Sequence, residues 1–140
     1  MRKVKKREGK LRNEKKNKIV IQGELMDLNN FINKQRSNRF GGASAKKKET
    51  DKCAIYIKRA MNQGLRVDKL PVHLNISWYM QNKRKDKDNI AFAKKFILDG
   101  MIQARLIRND GWKEISGFTD EFHVDKNNPR VEVTICEFNE

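Results

Sequence analysis

From Val72 to Met80 every second residue is apolar. Val72, Leu74, Ile76, Trp78 and Met80 alternate with His73, Asn75, Ser77 and Tyr79. A helix repeats every 3.6 residues and cannot put those five side chains on one face, whereas a strand repeats every two and does so without adjustment. The pattern predicts a strand over Pro71–Met80 with one face on a core and the other toward solvent. A chain committed to this strand must build a sheet around it. His73 falls on the polar face, where a lone histidine is an ordinary half-exposed residue rather than an acid or base.

The flanking elements follow from similar patterns. Ile19–Leu25 reads as a first strand, and Leu28–Arg39, with Leu28, Phe31 and Ile32, as a short helix. Phe40–Lys48 (FGGASAKKK) reads as a flexible basic loop. Lys52–Gln63 carries the stripe Ala54, Ile55, Ile57, Lys58 and Met61 and predicts a helix ended by Gly64. Ile90–Arg105 predicts one continuous helix, capped by Asp88 or Asn89. Asn109-Asp110-Gly111 is turn chemistry. Two strands should follow, over Glu114–Val124 and Arg130–Phe138, joined as a hairpin through Lys126-Asn127-Asn128-Pro129. Trp78 and Trp112 are expected in the core, and the scattered aromatics suggest no base-stacking platform.

The charge balance narrows the function. At 140 residues the chain fits one domain, and a net charge of +14 points to a polyanionic partner. Residues 1–18 contain ten Lys or Arg against Glu8 and Glu14. They are expected to form a basic arm that binds phosphates non-specifically, with the folded domain over 19–140. No stretch approaches the ~18 apolar residues of a membrane span, and no secretory signal is visible. Cys53 and Cys136 lie far apart without metal-ligand spacing, so they are expected to be buried free thiols in a reducing cytoplasm.

Against that excess of positive charge, Lys83-Arg84-Lys85-Asp86-Lys87-Asp88-Asn89 holds two carboxylates one residue apart. A surface that only bound phosphates would gain nothing from acids there. A surface that binds phosphates and cuts between them needs both signs: basic groups for the backbone, and carboxylates for a hard cation at the scissile phosphate. Asp110 is a third such carboxylate after the next helix, and the two helix-flanking loops can meet only if the chain folds back. Turn and cap chemistry would use the same residues. A lysine near the metal would stabilise transition-state charge. Lys95, seven residues after Asp88, returns to nearly the same helical face, and Lys94 lies about a quarter turn away.

Arg84-Lys85-Asp86-Lys87-Asp88-Asn89, Lys95-Phe96-Ile97-Leu98-Asp99-Gly100, Ile107-Arg108-Asn109-Asp110 and Arg130-Val131-Glu132-Val133-Thr134-Ile135 together resemble, in order and spacing, the RusA family of Holliday-junction resolvases of bacteria and phages. The resemblance covers roughly residues 28–138. It implies a single compact α/β (α+β) domain, a small mixed sheet packed with helices, acting as a homodimer on four-way DNA. It implies Asp86, Asp88 and Asp110 as ligands of Mg²⁺, with Mn²⁺ as a substitute, and no small-molecule cofactor. Lys95 would be the catalytic lysine given a short insertion at the helix start; otherwise Phe92 takes its place. Lys83, Arg84, Lys85, Lys87 and Lys46, Lys47, Lys48 would hold the junction arms, in a bacterial or phage-infected cytoplasm. Two other readings are a basic nucleic-acid-binding protein without catalysis, for which the three aspartates are dispensable, and a nuclease for other branched DNA.

Overall fold

The structure is a computed structural model that describes residues 16–137. Most of the expected basic arm lies outside the described residues. Its last part does not: Lys16 bridges Leu65, and Lys18 opens the first strand. The elements run β1 (Lys18–Gln22), α1 (Leu28–Ser37), α2 (Gly41–Asn62), β2 (Val72–Met80), α3 (Lys87–Ala91), α4 (Lys94–Gln103), β3 (Ile115–Val124) and β4 (Arg130–Glu137). Strands and helices form one α+β unit around a four-stranded mixed sheet of order β1-β4-β2-β3.

The alternation in β2 does what its period requires. Val72, Leu74, Ile76, Trp78 and Met80 are buried, and the residues between them are half-buried on the other face. β4 supplies Val131, Val133 and Ile135 to the same core, and β1 supplies Ile19 and Ile21. Cys53, Ala54 and Ile57 of α2 and Phe96, Ile97 and Met101 of α4 close it from the helical side. Burial of this much aliphatic surface is the main source of stability.

Two glycines serve close packing. A Cβ on Gly100 would sit 2.8 Å from Cys53 Cβ and 3.2 Å from the Ala54 nitrogen, so α4 and α2 touch there along their backbones. Gly100→Ala is therefore expected to cost about 1–3 kcal/mol by overpacking, read as a lower urea midpoint at unchanged slope. Gly41 meets the Lys34 carbonyl oxygen even more tightly, at 2.0 Å from an added Cβ. That contact corrects the expected flexible loop over Phe40–Lys48: Gly41-Gly42 opens α2 against α1, and Lys46, Lys47 and Lys48 lie in its first turns.

Four further expectations change. The helix over Ile90–Arg105 is broken at Phe92–Ala93, where Phe92 packs with Phe31 and Phe96 at ring separations of 5.3 and 5.6 Å. Trp112 is 98% exposed rather than in the core, and Cys136 is half-buried. β3 and β4 form no hairpin. β2 lies between them, parallel to β3 and antiparallel to β4. The chain passes over the end of β2, where the Asp125 N–H donates to the Met80 carbonyl at 2.8 Å, and so spans two strand spacings, about 9.6 Å.

On the open face of the sheet, Glu132 accepts from Lys18 and from Arg130 Nε, and Arg130 also donates to Asp125. The Lys18 contact pulls the Glu132 carboxyl below its ordinary range, burial opposes this, and Arg130 adds to the lowering. A carboxylate with a depressed native pKa stabilises the fold above its unfolded pKa and loses that contribution as pH falls. The melting temperature is expected to drop between about pH 5 and pH 3, and less steeply in Glu132→Gln.

Candidate active site

Met80 ends β2, and residues 81–86 carry the chain out to α3. Asp86 stands at the N-cap position with an extended backbone (φ −70°, ψ 153°), yet its carboxylate makes no capping hydrogen bond. Asp88 sits in the first turn and, among the described residues, accepts only the N–H of Asn89, at 2.9 Å. The expected Asp88 or Asn89 cap is therefore displaced to Asp86, and cap chemistry does not use that side chain. Both aspartates are exposed and line a cleft of about 610 Å³ with Met80, Lys83, Phe122 and His123.

Neither Asp86 nor Asp88 forms an ion pair among the described residues, although lysines adjoin both in sequence. Lys85 and Lys87 line the same cleft but are engaged with other groups. Lys85 lies 3.4 Å from Asp27 and 3.6 Å from Glu24, and Lys87 lies over the Phe122 ring at 5.7 Å. Lys83 and Arg84 are exposed beside the cleft. On α2, Lys46 faces Asp99 at 3.7 Å, Lys47 pairs with Asp51 at 2.7 Å, and Lys48 is exposed; none of the three lines the cleft.

Asp110 is elsewhere. It precedes the Gly111–Glu114 turn that leads into β3, and the Glu114 carbonyl accepts the Val72 N–H at 2.8 Å. Asp110 is thus at the start of β2 and β3, and Asp86 and Asp88 are at their finish. Eight residue steps along Val72–Met80 separate the two ends by about 26 Å. The parallel crossover from β2 to β3 makes this unavoidable, since the loops before and after it open at opposite sheet ends. Among the described residues no group of three His, Cys, Asp or Glu could hold a metal ion.

The break at Phe92–Ala93 also resets the helical faces on which the choice of lysine rested. Lys95 is exposed on α4. Lys94 turns inward, pairs with Asp120 Oδ2 at 2.7 Å and lies 4.5 Å from the Phe118 ring centre. Asp120 Oδ1 accepts the Trp78 indole N–H at 2.9 Å. Lys94 therefore fastens α4 to the sheet, while Lys95 forms no ion pair among the described residues and does not line the cleft that holds Asp86 and Asp88.

One set of residues was not foreseen. Asp27, only 3% exposed, accepts from the side-chain amides of Asn30 and Asn89, the latter at 2.8 Å. Burial pushes its carboxyl up, but the two amides and Lys85 outweigh it and hold the group below the usual range. The sequence signal is an aspartate just before a helix; Asn30 is a local partner, but Lys85 and Asn89 lie some sixty residues away.

An α+β domain that offers two carboxylates in one cleft, without an ion pair among the described residues, in a chain of net charge +14 has the composition of a nucleic-acid-cleaving enzyme. The chain belongs to the RusA endodeoxyribonuclease family: the family model for endodeoxyribonuclease RusA matches residues 32–136, from within α1 to the end of β4, including both aspartate loops. No curated protein matches the chain. No helix among the described residues is long and apolar enough to cross a membrane.

Proposed function

We propose that the protein is a Mg²⁺-dependent endonuclease that resolves Holliday junctions by paired nicks in opposed strands. The observation that carries this reading is the pair Asp86 and Asp88, exposed and without an ion pair among the described residues, in a chain of net charge +14. Their free oxygens are the hard donors that Mg²⁺ prefers, and Mn²⁺ would substitute. When bound, the ion supplies an activated water and offsets charge at the phosphorus. Lys95 stabilises charge on the transition-state phosphate, and Lys83, Arg84, Lys87 and Lys48 hold the junction backbone. Lys46 and Lys47 can add phosphate contacts only by leaving Asp99 and Asp51.

Asp110 joins this site from a second chain. β3 is an edge strand, with Phe118 and Val124 exposed on it and Trp112 just before it. An unpaired edge is a template for another strand. Two-fold antiparallel pairing of two β3 edges sets the start of one strand against the finish of the other, and so brings Asp110 of the partner subunit toward Asp86 and Asp88. A two-fold dimer also matches the two-fold symmetry of a four-way junction.

The test is cleavage of a synthetic mobile four-way junction with and without Mg²⁺, beside a flapped duplex. Paired symmetric nicks in the junction are expected, only with the metal. Cutting of the flap alone would favour the other branched-DNA nuclease. Tight binding without nicks in Mg²⁺ or Mn²⁺ would leave a binding protein. Binding should also weaken linearly on a log–log salt plot, with a slope of about −0.9 per phosphate contact.

A further inference from the structure

The carboxylate loop is gripped from behind by a second pair of acids. The Gln81 N–H donates to Glu24 Oε2 at 2.7 Å. Lys85 Nζ lies between Glu24 Oε1 at 3.6 Å and Asp27 Oδ1 at 3.4 Å. Asn89 Nδ2 donates to Asp27 Oδ2 at 2.8 Å, and Asn89 Oδ1 accepts the Asn29 N–H at 2.9 Å. The loop is therefore held at 81, 85 and 89, and Asp86 and Asp88 lie between the last two holding points. Glu24 and Asp27 belong to the segment between β1 and α1, so the brace crosses from one part of the chain to another.

We infer that Asp27, through Asn89 and Lys85, is a positioning residue that presets Asp86 and Asp88 and keeps the adjacent lysine away from them. The inference rests on the reading of those two aspartates as metal ligands. Its physical basis is twofold. A nearly buried carboxylate must keep its partners, because an unsatisfied buried charge is costly, and so it fixes the groups that satisfy it. Lys85 is also the immediate neighbour of Asp86 in the chain. Released from Asp27 and Glu24, its ammonium could pair with Asp86 and compete with a cation for the same oxygens. Asn89, whose side chain touches Asp27 and the start of α1, sets where the first turn of α3 begins and hence where Asp88 points. Lys85 accordingly serves the loop rather than the DNA backbone, unlike its expected phosphate-binding role.

The experiment uses the full chain and two readouts. One is Mn²⁺ binding followed by electron paramagnetic resonance; the other is the Mg²⁺ concentration for half-maximal junction cleavage. Asp27→Ala and Asn89→Ala are each expected to weaken metal binding about 10–100-fold, the range for partners that orient metal ligands, with junction affinity changed less than about threefold. The exchange Asp27→Asn with Asn89→Asp reverses the amide–carboxylate pair and should recover metal binding to within a few-fold of wild type. Thermal melts on every variant separate folding from positioning. If both alanine variants, measured where they are folded, bind Mn²⁺ like wild type, the positioning role is wrong while the metal site stands. If the exchanged pair recovers nothing, the Asp27–Asn89 bond is not what sets the loop. If wild type itself binds no Mn²⁺ and Asp88→Asn is no different, the metal reading and this inference fall together.

Discussion

Asp88→Asn is expected to lower junction cleavage by about a thousandfold or more, the several kcal/mol a catalytic cation supplies to a phosphoryl transition state. Junction binding should stay the same or tighten slightly, because the substitution removes a negative charge from a basic surface. The fold should not suffer. Asp88 forms no ion pair among the described residues, and asparagine retains an oxygen for the Asn89 N–H. Loss of cleavage with full binding and an unchanged melting curve is a signature that neither a structural turn nor a phosphate contact would give. Cleavage within about tenfold of wild type would return Asp88 to turn chemistry.

The largest effect on stability is expected at Trp78. Its side chain is 1% exposed, and its indole N–H donates to Asp120, whose other oxygen holds Lys94. One side chain thus fills the core and anchors the contact that ties α4 to the sheet. Trp78→Ala should cost about 3–5 kcal/mol from lost burial and the remaining cavity. That is a large share of the ~5–15 kcal/mol that holds a typical domain together. Trp78→Phe keeps most of the volume and removes the donor, so it should cost clearly less. Urea unfolding of both variants checks the order. A loss under about 1 kcal/mol for the alanine variant would mean that the core around β2 collapses to refill the space.

The parts of this structure legible in the sequence were those fixed by local period. The alternation in β2 gave strand, face and core residues together, because a two-residue period leaves no other arrangement. β4 was legible for the same reason, and the spaced motifs led to the family that the comparison then showed. What depends on distant pairing was not legible. Nothing between Val124 and Arg130 announces that β2 will lie between them, and a polar Asn-Asn-Pro connection looks the same in a hairpin and in a strand-skipping link. In sequence the Gly41-Gly42 pair reads as flexibility, but its lack of side chains lets α2 start against the Lys34 carbonyl. The helix break at Phe92–Ala93 is invisible to a pattern that stays apolar across it, and it undoes the face argument that chose between Lys94 and Lys95. At the candidate site, the sequence points to Asp86 and Asp88, which share one cleft, but the crossover topology puts Asp110 at the other end of β2. The Asp27–Asn89 brace was out of reach because its two halves lie in different parts of the chain.

The most direct test of the two-chain carboxylate site is complementation between inactive variants. Asp88→Asn and Asp110→Asn subunits, carrying distinguishable tags, would be co-expressed and the mixed dimer purified. With one site shared across two chains, the mixed dimer has one site with both changes and one with neither. It should cleave at about half the wild-type rate, leaving single rather than paired nicks, while each variant alone is inactive. A mixed dimer as inactive as its parents would mean that each site is assembled within one chain, contradicting the arrangement proposed for Asp110.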